Sequence, residues 1–109
     1  MIIVTVFRTT NQITAFELSG HAQSGPYGYD LVCAGVSAVS FGAVNAIIQL
    51  CEVDLEIEQA GEGGYLHVSI PDLVHNELSE KVQLLLEGML ISLKTIEREY
   101  SEFISIESK

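Results

Sequence analysis

From Leu31 to Cys51 the chain runs for 21 residues without a charged side chain. As an α-helix rising about 1.5 Å per residue, such a run is roughly 30 Å long, enough to cross a bilayer or a small domain. Its composition favours the second use. Gly35, Ser37, Ser40, Gly42, Asn45 and Gln49 interrupt it, and the flanking Asp30, Glu52 and Asp54 supply none of the Lys or Arg that anchors a membrane span. No membrane association is expected. A helix apolar on most sides is instead the centre of a globule, covered by a sheet or by a partner subunit. The chain has 109 residues, 48% of them hydrophobic, which suffices for one core, so a single domain over 1–109 is expected.

The segments around this helix supply the sheet. Ile2 to Phe7 and Ile13 to Leu18 are β-branched and aromatic runs joined by Arg8-Thr9-Thr10-Asn11-Gln12, the pattern of a hairpin. Val53, Leu55 and Ile57 alternate with Asp54, Glu56 and Glu58, predicting a strand with one buried face. The glycine-rich turn at Gly61-Glu62-Gly63-Gly64 leads into a return strand burying Leu66, Val68 and Ile70. From about Asn76 to Glu99, Leu78, Val82, Leu85, Met89, Leu93 and Ile96 step by three and four, the stripe of an amphipathic helix. Phe103, Ile104 and Ile106 add a last edge strand. The order ββαββαβ predicts an α+β fold, in which two hairpins form a sheet packed with two helices.

Five Lys plus Arg stand against fifteen Asp plus Glu, a formal charge of −10. That field repels phosphate backbones, so direct nucleic-acid binding is not expected. It attracts a cationic polypeptide and speeds its encounter. Cys33 and Cys51 lie about 27 Å apart along one helix, too far for a disulfide, and two unpaired thiols suit a reducing compartment. The first residues, Met1-Ile2-Ile3-Val4-Thr5-Val6-Phe7-Arg8, lack the basic segment and cleavage site of a secretory signal, so a cytoplasmic location is expected.

The chemistry concentrates just before and inside the uncharged run. Gly20 to Tyr29 holds three glycines and one proline and reads as a loop. Asp30 then reads as the N-cap of a helix over about Leu31 to Leu50, which puts Cys33 in the first turn. Free N–H groups there carry about half a positive charge, and helix N-termini or a cationic His lower a thiol's ordinary ~8.5 into about 3.5–7.5. His21 ends the second strand across the loop, and Cys with His is a recurrent nucleophile and base for acyl transfer. The same helix-start amides would receive the oxyanion.

Plainer readings stand beside these. A Cys entering an apolar run also serves as core packing. Cys51 reads as inert core, and His67 and His75 as solvated surface residues. Ser37, one turn beyond Cys33, either bonds a backbone carbonyl or lines the site. A zinc site would need His21, Asp30, Cys33 and a distant His67 or His75, a spacing unlike any close-paired ligand pattern. No metal or other cofactor is expected.

The segment Gly20-His21-Ala22-x-x-Gly25-x-x-Gly28-x-Asp30-x-Val32-Cys33-Ala34-x-Val36-Ser37 closely resembles the G-H-A-x-x-G-x-x-G-x-D-x-V-C-A-A-V-S pattern of the ribosomal-processing cysteine protease family, Prp. Gly35 replaces a usual alanine. The resemblance implies a cytoplasmic, homodimeric cysteine endopeptidase, with Cys33 as nucleophile and His21 as base. Asp30 and Ser37 fall on the family's supporting residues. It further implies removal of a short N-terminal extension from the basic large-subunit ribosomal protein L-twenty-seven, after an aromatic residue. Gly20, Ala22, Gly25, Tyr27, Gly28 and Tyr29 then form a substrate-binding loop, in which the two tyrosines either pack on the peptide or pin the loop to the core. The competing expectation is a non-catalytic ribosome-assembly module that grips a basic partner.

Overall fold

The computed structural model describes residues 1–20, 26–60, 64–74 and 76–109, with residues 26–30 described by backbone alone. Strands β1 (Ile2–Thr9) and β2 (Gln12–Ser19) form the first hairpin. Thr10 and Asn11 between them both have positive φ, 51° and 66°, the geometry of a two-residue turn that matches strand twist. Helix α1 (Pro26–Cys51) follows, then β3 (Glu56–Gln59) and β4 (Tyr65–Ser69), α2 (Asn76–Glu99) and β5 (Ile104–Ser108). The strands form one sheet in the order β3-β4-β2-β1-β5, with β5 parallel to β1 and the other neighbours antiparallel. The ββαββαβ order and α+β class are those expected from the sequence.

A bulge sets which residues enter the core. Phe7 pairs with Ala15 and Arg8 with Ile13, which leaves Thr14 without an opposite residue. Ile13 and Phe16, three apart, would face opposite sides of a regular strand, yet both are buried. They join Val4, Val6, Leu66, Val68 and Ile104 on the sheet's inner face. Against that face α1 buries Val32, Val36, Val44 and Ile47, and α2 buries Val82, Leu86, Met89, Leu90 and Leu93. The two helices run close together, with Ile96 Cδ1 only 3.6 Å from where a Cβ on Gly35 would lie. Arg8 ties the hairpin to α2 through two bonds to the Glu87 carboxylate, 2.7 and 2.9 Å.

Two expectations are corrected. Helix α1 starts at Pro26, not Leu31, so Pro26–Tyr29 are helical and Asp30 lies inside the helix rather than at its N-cap. Proline has no N–H to lose at a first helical position and its φ is already helical, which outweighs Gly28. The third strand begins at Glu56, not Val53. Val53 is buried in the connection ahead of it, and Ile57 is 38% exposed because β3 is the sheet edge. The 21-residue uncharged run is long and apolar enough to cross a bilayer, and in this fold it buries Val32, Val36, Val44 and Ile47 in the core, the globular use expected of it.

Candidate active site

A cleft of about 280 Å³ opens between α1 and one end of the sheet. Cys33, Ser37 and Phe41, four residues apart, form the α1 wall. Ile2, Leu18, Val36 and Leu66 supply an apolar floor. Gln59, Ala60, Gly64 and Tyr65, from the β3–β4 hairpin, face α1 across the opening. The walls meet because β4 pairs with β2, which brings Tyr65 opposite Ser19 at the strand end nearest Gly20. A half-buried thiol over an apolar floor, faced by the β3–β4 hairpin, can hold an extended peptide and present sulfur to a carbonyl.

Gly20 closes the end of the cleft and is under tight constraint. Its φ is +89°, a conformation that side chains resist, and a Cβ there would collide with the backbone carbonyl oxygen of Met1. Its N–H donates to the Gly64 carbonyl at 2.9 Å, tying the end of β2 to the turn before β4. His21 follows it directly. His21, Ala22 and Gly25 lie outside the described residues, as do the side chains of Tyr27, Tyr29 and Asp30, while Gly28 is described only as part of the helix backbone.

The earlier start of α1 changes the argument for Cys33. From Pro26 to Cys33 the helix has already made about two turns, so first-turn amides and their partial charge lie roughly 10 Å back along the axis. In this conformation the Cys33 amide is inside the helical ladder, not free to receive an oxyanion. Cys33 and Cys51 are both free and half-buried, Cys51 against the core as expected. Ser37 is brought to the cleft beside Cys33.

His67 departs from its expected solvated setting. On the outer sheet face its Nδ1 lies 3.2 Å from Glu17 Oε1, and its ring tilts against Phe7 with centroids 6.0 Å apart. The Tyr65 hydroxyl donates to the same carboxylate oxygen at 2.9 Å, and this bond holds the phenol above its ordinary pKa. His75 lies outside the described residues. The sequence reading missed the hairpin wall altogether. Its only signal was the Gly61–Gly64 run, read as a turn.

An apolar cleft with a thiol on its wall, at the end of a sheet backed by two helices, defines the class: the chain is a cysteine protease. It belongs to the Prp family, whose description, "Cysteine protease Prp", matches residues 1–105. It is similar to the ribosomal processing cysteine protease Prp of Bacillus subtilis, 44% identical over 107 residues, covering 97% of this chain and 96% of that protein. The fold is similar to the crystal structure of an essential ribosomal processing protease Prp from S. aureus with a covalently linked product peptide. That match has TM-score 0.88 and 43% identity and covers 100% of both chains. The S. aureus protease with a substrate peptide matches at TM-score 0.86 and 40% identity over 100% of both chains. The class expected from the motif, a ribosomal processing cysteine protease, is therefore borne out.

Proposed function

We propose that Cys33 is the nucleophile and His21 the general base of an endopeptidase that trims the N-terminal extension of the large-subunit ribosomal protein L-twenty-seven. The observation that carries this is the cleft, which holds Cys33 on one wall and ends at Gly20, the residue before His21. His21 takes the thiol proton and the Cys33 sulfur attacks the scissile carbonyl carbon. Collapse of the tetrahedral adduct breaks the C–N bond as the imidazolium protonates the departing amine. Water then attacks the thioester, His21 accepts its proton, and the C–S bond breaks to release the acid and the thiol. The floor of Leu18, Val36 and Leu66 takes the aromatic side chain ahead of the cut bond. Asp30 and Ser37 support the pair, and the chain between Gly20 and the start of α1 at Pro26 passes over the peptide. The whole chain acts as one domain in the cytoplasm, where its two thiols stay reduced, without cofactor, membrane or nucleic acid.

Two copies pair in this reading through the outer face of α1. Leu31, Ala34, Ala38, Gly42 and Asn45 are exposed there without a charge, and Leu31 is 58% exposed. Ala38→Glu would then yield monomers by light scattering. The test of the chemistry is mass spectrometry of a peptide copying the extension, incubated with wild type, Cys33→Ala, Cys33→Ser and His21→Ala. Cleavage by wild type alone is expected, and cleavage that survives Cys33→Ala removes the assignment. A non-catalytic assembly module would instead leave ribosome maturation intact in a Cys33→Ala strain.

A further inference from the structure

The two edges of the sheet are treated differently. At β5, the outward N–H of Ile106 donates to the Glu97 carboxylate of α2 at 2.8 Å, so a side chain closes that edge. At β3 nothing comparable occurs among the described residues. The Ala60 N–H donates to the Tyr65 carbonyl. Antiparallel pairing alternates, so Glu58 and Glu56 also turn their backbone groups toward β4. The N–H and C=O of Ile57 and Gln59 therefore point away from the sheet. All four β3 side chains are exposed, and the strand runs directly into Gln59 and Ala60 of the cleft wall.

We propose that the open edge of β3 docks an extended, basic segment of the substrate as an added strand, continuous with the cleft. Two hydrogen-bonding residues, Ile57 and Gln59, supply the register. Glu56 and Glu58 flank them and face cross-strand Lys or Arg at alternate positions of the incoming segment. The occupant is cationic because a second copy of this chain would set these carboxylates against their own kind. A charged edge that served only to prevent aggregation would have no reason to merge with the cleft wall. This inference rests on the peptidase reading and extends it to residues beyond the cut bond.

The test uses the full chain carrying Cys33→Ala, so that binding is read without hydrolysis. The probe is a fluorescein-labelled ten-residue peptide of alternating lysine and valine, followed by anisotropy. Glu56→Gln with Glu58→Gln should weaken it about threefold to tenfold. N-methylation of alternate peptide amides should abolish binding in one register and spare the other. Ile57→Pro should mimic that loss, since proline at an outward edge position leaves the β3–β4 ladder intact. On the Cys33 enzyme, appending the lysine–valine segment to a cleavable peptide should lower KM and leave kcat unchanged. Binding indifferent to N-methylation and to Glu56 and Glu58 overturns the proposal, as does an Ile57→Pro variant that only converts dimers to monomers. Failure of the peptidase reading shows separately, as no cleavage of any peptide while anisotropy still reports the edge.

Discussion

Replacing Gly20 by alanine tests whether the backbone that delivers His21 is built as described. At φ +89° a side chain costs about 1–2 kcal/mol. The added methyl would also come under 3.0 Å from the Met1 carbonyl oxygen, which is backbone and cannot swing aside. Relief requires moving either Met1, next to the Ile2 N–H bonded to Phe103 at 2.8 Å, or Gly20, whose own N–H bonds Gly64. Losing one such bond costs about 0.5–1.5 kcal/mol, while alanine's smaller unfolded-state freedom returns about 0.4–1 kcal/mol. The net loss is about 2 kcal/mol, read from urea unfolding followed by circular dichroism. Gly42→Ala is the control, because a Cβ there meets nothing within 4 Å. Peptide hydrolysis by Gly20→Ala should fall more than tenfold, through kcat, because the proposed base, His21, follows directly on the displaced residue. A Gly20→Ala protein as stable as wild type would refute the constraint, and full kcat in a destabilised variant would refute its link to His21.

Gly35→Ala should act in the opposite sense, since 3.6 Å to Ile96 is ordinary contact, and raise stability by about 0.5–1 kcal/mol in the same urea assay. Ser40 is fully buried and its hydroxyl has no hydrogen-bond partner among the described residues, so Ser40→Ala should stabilise by about 1 kcal/mol, read as a higher urea midpoint. The Arg8 hydrogen bond holds Glu87 below the ordinary carboxylate range. Its contribution is therefore complete above that range and lost as pH falls through and below it. Glu87 is 40% exposed, so Glu87→Gln should remove about 0.5–1 kcal/mol at pH 7 and converge with wild type under acid, in urea titrations across pH.

Local periodicity carried much of the fold. Leu66 and Val68 in β4 and the Val82–Met89–Leu93 stripe each follow from one segment's own repeat, and both bury as the pattern required. The start of α1 did not follow, because Gly28 and Asp30 signal a loop and a cap, while Pro26 permits the helix to begin earlier. Ile57 misled for another reason. Alternation marks which face a side chain takes, but not whether the strand lies at the centre or the edge of the sheet. Half of the cleft was legible in the motif, because Gly20 and Cys33 are close in sequence. The other half comes from Gln59, Ala60, Gly64, Tyr65 and Leu66, which meet α1 only through the β3-β4-β2 order. The bond from Gly20 to Gly64 joins those halves. It puts the residue before His21 in register with the hairpin wall, so a change on either side of that bond must be felt at both. One end of a stretch that reads as a loop and one end of a stretch that reads as a turn are thus bonded together at Gly20 and Gly64, and no window of sequence short enough to show a motif contains both.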